Sequence, residues 1–382
     1  MKKVLIVFGT RPEATKMVPL VLELRGCLDI ETTVCVTAQH RDMLDGVLEP
    51  FGIKPEYDLD IMSEGKGLHD IICEALTGLK TVIEKARPDL LLVHGDTATT
   101  FAASLAAFYA FVPVGHVEAG LRTNDKYRPF PEEINRKLTT AIADIHFAPT
   151  GRARENLLKE NVGIKSIYVT GNTAIDLIKH TAKPDNEFNR PTYREIDFSR
   201  RVLLMTSHRR ENWGAPLEGI CKAVRKIADD FSDVAVVWPM HPNTVVRRTA
   251  REILSGHERI LLTENADVFD LHNLMRRSHL VLTDSGGIQE EAPAFGKPTV
   301  VLREVTERPE GLAAGTLTLA GVGEESVYAA VASLLTDNEA YRRMAGAKNP
   351  FGDGRAAERI VGAIRFYLGL SLIEPDEFGL NN

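Results

Sequence analysis

The alternation of short β-branched runs with longer helical patterns is the feature that most restricts the fold of this chain. The first elements are a strand at residues 4–8, a helix from Pro12 and a strand at 32–37. Strand and helix patterns alternate to residue 148, and the same order restarts near residue 202. Because parallel strands need long crossover connections, which helices usually supply, this order predicts parallel sheets with helices on both faces.

The length of the chain favours two domains. Its 382 residues exceed the size at which single hydrophobic cores usually stop growing. We predict an α/β protein with two doubly wound, Rossmann-like domains facing a central cleft. The first domain is predicted at 1–172, the second at 173–352, and a C-terminal helix within 353–382 is predicted to pack back on the first domain. The polar, proline-containing stretch 183–198 is typical of a linker.

Charge and composition exclude several classes of function. The net charge of −7 argues against a nucleic-acid-binding surface. No stretch has the length and hydropathy of a membrane span, and the apolar run 4–8 is too short for a signal peptide. The chain has no dinucleotide-binding, Walker or nucleophilic-serine motif and no metal-ligand spacing. We therefore expect a cytoplasmic protein that uses no cofactor or metal and has neither nucleic acid nor membrane as partner.

Residues 283–291 follow the apolar run 279–282 and are typical of a strand that turns into a helix. Gly286 and Gly287 allow a ligand to approach the backbone closely, and the Ser285 hydroxyl and the first helical N–H groups favour an anion. These features predict a phosphate site, with Glu290 and Glu291 in reach of a sugar hydroxyl. The alternative is an ordinary helix start capped by serine.

Three carboxylates follow predicted strands or begin a helix in the first half of the chain. Asp96 and Glu118 come directly after strands, and Glu132 lies in the first turn of a helix. If they share one site, mutual repulsion can keep one protonated at neutral pH, which suits general acid and base catalysis. The alternatives are that Asp96 caps the helix starting at Thr97 and that Glu132 forms a surface ion pair with Arg136, four residues on.

Cationic and imidazole side chains occur at corresponding places in both halves. Arg11 and Lys16 follow the first strand and are candidates to face a phosphate, although such residues are usually just solvated. His208 follows a strand of the second half and precedes two arginines, which favours a role beyond structure. Arg308 lies beyond a later strand, again on the expected ligand side.

Six segments, taken in order, resemble the non-hydrolysing UDP-N-acetylglucosamine 2-epimerases. They are residues 8–16, 94–97, 116–122, 130–136, 207–212 and 283–291. The resemblance implies a two-domain architecture similar to GT-B glycosyltransferases, a homodimer, and interconversion of UDP-N-acetylglucosamine and UDP-N-acetylmannosamine. It also implies that UDP is eliminated to give 2-acetamidoglucal and is then added back with the opposite configuration at C2.

The resemblance assigns expected roles by motif. Asp96, Glu118 and Glu132 correspond to the acid and base carboxylates near the sugar, and His208 to a group that contacts the diphosphate. The positions implicated in holding UDP or supporting the site are Arg11, Lys16, Arg136, Ser285, Gly286, Gly287, Glu291 and Arg308.

Two places depart from the pattern of the family. Leu271 stands where family members often have an aromatic residue that packs on the uracil, so uracil binding is expected to differ. Bacterial relatives also bind a second substrate molecule as an activator. Here Gln39-His40-Arg41 is kept, but Asp42 replaces a glutamine and Gly65-Lys66 stands where an arginine is expected. The resemblance therefore does not imply activation of this chain by its substrate.

Three other functions compete with this interpretation. An epimerase of a modified UDP-sugar, of the diacetamido uronate type, has no excluding motif. A GT-B glycosyltransferase would share the fold and the phosphate site, but three carboxylates would be surplus to it. A catalytically silent UDP-sugar sensor would lack one or more of the carboxylates, and all three are present.

Overall fold

The computed structural model describes residues 1–37, 41–61, 66–182 and 188–379. The chain forms two compact units, the first made of Met1–Leu177 with Gly352–Asn382 and the second of Ile178–Phe351. Within the described ranges, no helix combines the length and the hydropathy needed to cross a membrane.

The first unit contains a seven-stranded parallel sheet. Its strands in chain order are β1 (Lys2–Phe8), β2 (Ile30–Val36), β3 (Tyr57–Asp58), β4 (Leu90–His94), β5 (Val114–Val117), β6 (Ile145–Ala148) and β7 (Ile167–Val169). In the sheet they lie in the order β3-β2-β1-β4-β5-β6-β7. The order reverses between β1 and β4, and ligands of open parallel sheets bind at the carboxyl ends of strands beside such a reversal.

Helices cover both faces of this sheet. They are α1 (Arg11–Arg25), α2 (Arg41–Leu48), α3 (Leu68–Ala86), α4 (Ala98–Tyr109), α5 (Glu132–Ile142), α6 (Gly151–Lys159) and α7 (Thr173–Thr181). The first helix begins with a capping box, because the Thr10 hydroxyl accepts the Glu13 amide and the Glu13 carboxylate accepts the Thr10 amide at 2.8 Å. Apolar side chains of α3 and α4, such as Leu79 and Ala103, pack with Leu5 and Val7 of β1 in one buried cluster.

The second unit repeats this plan with a six-stranded parallel sheet in the order β10-β9-β8-β11-β12-β13. Its strands are β8 (Arg201–Thr206), β9 (Val234–Met240), β10 (Ile260–Glu264), β11 (Leu280–Thr283), β12 (Thr299–Val301) and β13 (Leu317–Leu319). Its helices are α8 (Pro191–Arg194), α9 (Ala215–Asp230), α10 (Thr244–Leu254), α11 (Val268–Arg277), α12 (Gly286–Glu291), α13 (Pro309–Ala314), α14 (Glu324–Thr336) and α15 (Asn338–Ala345). The last helix, α16 (Ala356–Tyr367), returns to the first unit and packs against α1.

The predicted α/β class with two doubly wound parallel sheets is confirmed. Three observed strands were not predicted from the sequence, namely β3, β7 and β13. Each is two or three residues long and lies at the edge of its sheet. Runs this short carry too little periodicity to be recognised.

The interpretation of 183–198 as a linker is wrong for residues 188–198. Phe188 and Tyr193 are almost completely buried and pack with Val202 and Leu204 of β8. The Arg277 guanidinium also lies 3.7 Å from the centre of the Phe198 ring. Proline and polar residues dominate the composition of this stretch, and its few aromatic residues do not form a periodic pattern. Those aromatic side chains nevertheless belong to a core. Residues 183–187 lie outside the described part of the chain.

Candidate functional site

Asp96 and Glu118 lie at the carboxyl ends of the neighbouring strands β4 and β5, beside the reversal of strand order. Glu118 directly follows β5 and has a φ of 63°, a left-handed conformation that is uncommon for a residue with a side chain. Its side chain is 8% exposed. Strain of this kind is kept where the surrounding structure fixes it, often at functional sites.

Three polar side chains surround the Glu118 carboxylate. Lys16 Nζ forms an ion pair with Oε1, His94 Nε2 lies 3.0 Å from Oε2, and Asn172 Nδ2 lies 3.3 Å from Oε1. Burial opposes ionisation of this group, but the charge of Lys16 and the contact with His94 outweigh it and hold the pKa of Glu118 well below its usual range. Glu118 is therefore an ionised carboxylate. Of the three carboxylates Asp96, Glu118 and Glu132, Glu118 is therefore not the one that repulsion would keep protonated at neutral pH.

Asp96 forms an ion pair with Arg136 of α5. Arg136 Nη1 also lies 3.3 Å from Glu133, and Asn135 Nδ2 donates to the Asp96 carbonyl at 2.9 Å. The alternative that Asp96 caps α4 is wrong, because the Thr97 hydroxyl accepts the Thr100 amide there. Asp96 is thus a side chain held in place by α5.

Glu132 is the first residue of α5, the helix that supplies Arg136 to Asp96. No ion pair joins Glu132 to Arg136 in the described part of the chain, because Asp96 and Glu133 occupy the guanidinium. Glu132 Oε2 is buried and has no hydrogen-bond partner among the described residues. A carboxylate oxygen in that state can accept a proton from a ligand.

The turn between β1 and α1 lies at the same edge of the sheet. Glu13 is buried and accepts the Gly9 amide at 3.1 Å and the Thr97 hydroxyl at 2.8 Å, so it fixes this turn to the start of α4. Lys16, which the sequence suggested would face a phosphate, instead contacts Glu118. The Arg11 side chain is half-buried, and no ion pair involves it within the described residues.

In the second unit, Asp284 follows β11 and is completely buried. It accepts hydrogen bonds from Ser207 Oγ at 2.8 Å, the Arg209 amide at 2.9 Å and Asn212 Nδ2 at 3.0 Å. These bonds fasten the segment after β8 to the end of β11. His208 lies between these donors and contacts Asp284 through both its amide and its ring.

Ser285 occupies the N-cap position of α12, but its hydroxyl makes no capping hydrogen bond. The first N–H groups of a helix lack intrahelical acceptors, and here they follow a hydroxyl that makes no hydrogen bond within the described ranges. A Cβ placed on Gly286 would lie 3.6 Å from Arg308 Nη2 and 3.8 Å from Arg209 Nη2. Two guanidinium groups therefore lie near this helix start.

The two glutamates at the end of α12 have different surroundings. Glu290 is buried and forms an ion pair with Arg308. Glu291 lies 3.5 Å from Nε2 of the buried His272, and His272 Nδ1 lies 2.5 Å from the Thr181 hydroxyl. Of these two glutamates, Glu291 is the one that stays partly exposed, with 12% of its side chain accessible.

Leu271 lies on α11, one residue before His272. It is half-buried and packs against the cluster of apolar side chains that includes Leu274 and Ile288. Its expected effect on uracil binding stays a prediction.

The departures from the activator pattern fall largely outside the described residues. Gln39, His40 and Gly65 lie in the undescribed ranges, and the side chains of Arg41 and Asp42 lie outside the description as well. Lys66 is described, and its ammonium group contacts Glu74 at 2.6 Å and the Ile61 carbonyl at 2.9 Å.

Four contacting residues were not singled out from the sequence as candidates. His94 is the last residue of β4, Asp284 directly follows β11, Asn172 follows β7, and Arg209 follows His208. Their position at or shortly after strand ends was the available signal, since that edge of a parallel sheet holds ligands. Among the described residues, no group of three or more histidine, cysteine or acidic side chains could hold a metal ion.

Comparison with known proteins agrees with this arrangement. The family model described as UDP-N-acetylglucosamine 2-epimerase matches residues 23–365. The UDP-N-acetylglucosamine 2-epimerase of Bacillus subtilis is 54% identical over 376 residues, which cover 98% of this chain and 98% of that one.

Solved structures give the same result. The structure of S. aureus MnaA with UDP is 51% identical, with a TM-score of 0.90, and the match covers 99% of this chain and 100% of that one. The Neisseria meningitidis UDP-GlcNAc 2-epimerase bound to UDP-GlcNAc is 44% identical, with a TM-score of 0.85, over 95% of this chain and 99% of that one. The predicted resemblance is confirmed, and this chain belongs to the UDP-N-acetylglucosamine 2-epimerase family.

Proposed function

We propose that this chain catalyses the reversible C2 epimerisation of UDP-N-acetylglucosamine to UDP-N-acetylmannosamine. The reaction proceeds by elimination of UDP to 2-acetamidoglucal and its re-addition. The observation that carries this proposal is the buried, ionised Glu118, held between Lys16 and His94 and next to the strand that bears Asp96. The names and bound ligands of the relatives support the choice of substrate.

The sugar is handled by the carboxylates of the first unit. Glu118 is ionised, Asp96 is paired with Arg136, and Glu132 has an unpartnered buried oxygen. A sugar that loses a C2 proton and regains one on the opposite face needs more than one acid or base group. The three carboxylates differ in the positive charge that surrounds them, so one can act as a base while another acts as an acid.

The UDP part is held by the second unit. Ser285, Gly286 and Gly287 bind the diphosphate through the free hydroxyl and N–H groups, and Arg308 and His208 add positive charge and hydrogen-bond donors. Glu291 accepts hydrogen bonds from the ribose hydroxyls. Arg11 of the first unit is a further cation for the same substrate.

The chemistry requires UDP to leave early. The C2 proton of the substrate is not next to a carbonyl, so a carboxylate cannot easily remove it first. The C1–O bond breaks and its electron pair stays on the β-phosphate oxygen, where fixed donors stabilise the growing charge. A carboxylate then takes the C2 proton of the oxocarbenium-like species to give 2-acetamidoglucal. Protonation of the opposite face and re-addition of UDP give the epimer.

Incubation with UDP-N-acetylglucosamine in deuterated water tests this function. We expect deuterium at C2 of both epimers, because the carboxylates exchange protons with solvent, and NMR detects the label directly. In the Glu132→Gln variant, both epimerisation and incorporation of deuterium should be slower than in the wild type. Epimerisation without label would exclude the elimination route, and absence of any epimer from the wild-type protein would exclude the function.

The homodimer implied by the resemblance belongs to the same proposal. Light scattering of the purified chain should give twice its mass of 42.2 kDa. A mass of one chain at the concentrations used for the assay would contradict it.

A further inference from the structure

Asp284 accepts hydrogen bonds from four residues, and one of them, His208, contacts it through two groups. Beyond the bonds from Ser207, Arg209 and Asn212, its Oδ2 accepts the His208 amide at 2.9 Å, and its Oδ1 lies 3.1 Å from His208 Nδ1. The amide and the ring of one residue therefore meet the same carboxylate. This fixes both the position and the rotation of the imidazole.

The other ring nitrogen of His208 is available to a ligand. The His208 side chain is 37% exposed, whereas Asp284 is completely buried. No hydrogen bond to His208 Nε2 is formed within the described residues. The His241 ring stacks nearby, with ring centres 5.7 Å apart and planes inclined by 27°, and it limits the orientations that the imidazole can take.

Asp284 is charged in this environment. Burial opposes its ionisation, but hydrogen bonds from His208 and from the Arg209 amide outweigh it, and the pKa of Asp284 is below its ordinary value. An ionised carboxylate accepts hydrogen bonds and donates none, so the nitrogen facing it must carry a proton.

We infer that Asp284 is a positioning residue that holds His208 protonated at Nδ1 and so presents Nε2 to the diphosphate. The inference rests on the proposed function for the identity of that ligand. When both ring nitrogens carry protons, Nε2–H donates a hydrogen bond to the β-phosphate oxygen that receives the electron pair of the C1–O bond. The buried carboxylate balances the positive charge of the ring during that step.

The tautomer of His208 in the wild-type protein is the first test. In protein labelled with ¹⁵N-histidine, the two ring nitrogens have distinct shifts, and the His208 signals are those missing from His208→Gln. At alkaline pH, where the ring is neutral, we expect a proton on Nδ1 and none on Nε2. A proton on Nε2, the form that free histidine favours, would overturn the inference.

Substitution of the carboxylate is the second test. In Asp284→Asn we expect His208 to populate both tautomers and kcat for epimerisation to fall about 10- to 100-fold, as for other groups that orient a functional histidine. KM should change less than about threefold, since the remaining diphosphate contacts persist. Ser207→Ala is the matched control, because it removes a neutral hydrogen bond from the same carboxylate. It should leave the tautomer and kcat unchanged.

The outcomes separate the inference from the proposed function. A fall in kcat with an unchanged His208 tautomer would overturn the positioning role. If Asp284→Asn does not fold, the tautomer in the wild-type protein decides the question. A wild-type protein that shows the expected tautomer but forms no epimer would contradict the proposed function and leave the geometric part of the inference standing.

Discussion

His94 Nε2 lies 3.0 Å from Glu118 Oε2, and both side chains are less than a tenth exposed. Lys16 occupies the other oxygen of the same carboxylate, so Glu118 has a partner on each side. Removing one member of a buried charge pair leaves the other uncompensated, which typically costs about 3–5 kcal/mol. Glu118 therefore contributes both to the stability of the first unit and to the charge of the candidate site.

Glu118→Gln should lower kcat for epimerisation at least about 100-fold while affinity for UDP-N-acetylglucosamine changes far less. Glutamine keeps the shape but cannot take a proton, and it leaves the Lys16 ammonium without its counter-charge. The free energy of unfolding should therefore fall by about 3 kcal/mol in a denaturant titration.

Glu74→Gln is the matched control for Glu118→Gln. Glu74 also pairs with a lysine, Lys66 at 2.6 Å, but its side chain is 43% exposed. Exposed pairs contribute about 0–1 kcal/mol, so stability and activity should be nearly unchanged. Normal turnover of Glu118→Gln with a large loss of affinity would make Glu118 a binding residue.

Mild acid should destabilise the first unit through its buried histidines. Burial lowers the pKa of His116 to about 3, and that of the neighbouring His146 to about 4, from an ordinary value of 6.5. Between these values the unfolded chain binds protons that the folded chain does not, so stability falls as the pH falls from about 6.5. For His116 the loss is about 2 kcal/mol at pH 5.

His116→Gln should reduce the difference in unfolding free energy between pH 7.5 and pH 5 by about 2 kcal/mol. Glu118 does not interfere in this window, because its lowered pKa keeps its contribution complete above its ordinary value of 4.5. Replacing the exposed His69 by glutamine is the control and should leave the difference unchanged. An equal pH dependence in wild type and His116→Gln would show that His116 already accepts a proton at pH 5.

The strands and the pairings of the site differ in how far the sequence predicts them. The predicted strand at the apolar run 279–282 agrees closely with β11, because this run is continuous and ends in a turn signal. The same rule placed Asp96 and Glu118 at strand ends. The pairing of Lys16 with Glu118 joins residues 102 positions apart. Arg136 pairs with Asp96 rather than with Glu132, and this depends on how α5 packs against the end of β4. Local patterns carry no information about either.

Gly9→Ala should destabilise the first unit strongly. A Cβ at this position would lie 2.1 Å from Thr37 Oγ1 and 2.6 Å from Thr99 Oγ1, two hydroxyls that are hydrogen-bonded to each other at 2.8 Å. Neither side chain can move without breaking that buried bond, so we expect a loss of about 3 kcal/mol or more in denaturant unfolding. Gly46→Ala in α2 is the control. Nothing lies within 4 Å of its Cβ, and alanine should stabilise that helix by about 0.5–1 kcal/mol. Equal stabilities of the two variants would contradict the crowding at Gly9.

Gly286→Ala should separate ligand binding from folding in the second unit. Its Cβ would lie 3.6 Å from Arg308 Nη2, an ordinary contact, so the free energy of unfolding should change by less than about 1 kcal/mol. The methyl group would nevertheless occupy the space between the helix start and the guanidinium groups of Arg209 and Arg308, where we propose that the diphosphate binds. We expect the Kd for UDP in calorimetric titration to rise at least about tenfold, which corresponds to about 1.4 kcal/mol. Gly163→Ala, where a Cβ has nothing within 4 Å, should bind UDP like the wild type. Wild-type affinity in Gly286→Ala would mean that the diphosphate does not approach this helix start.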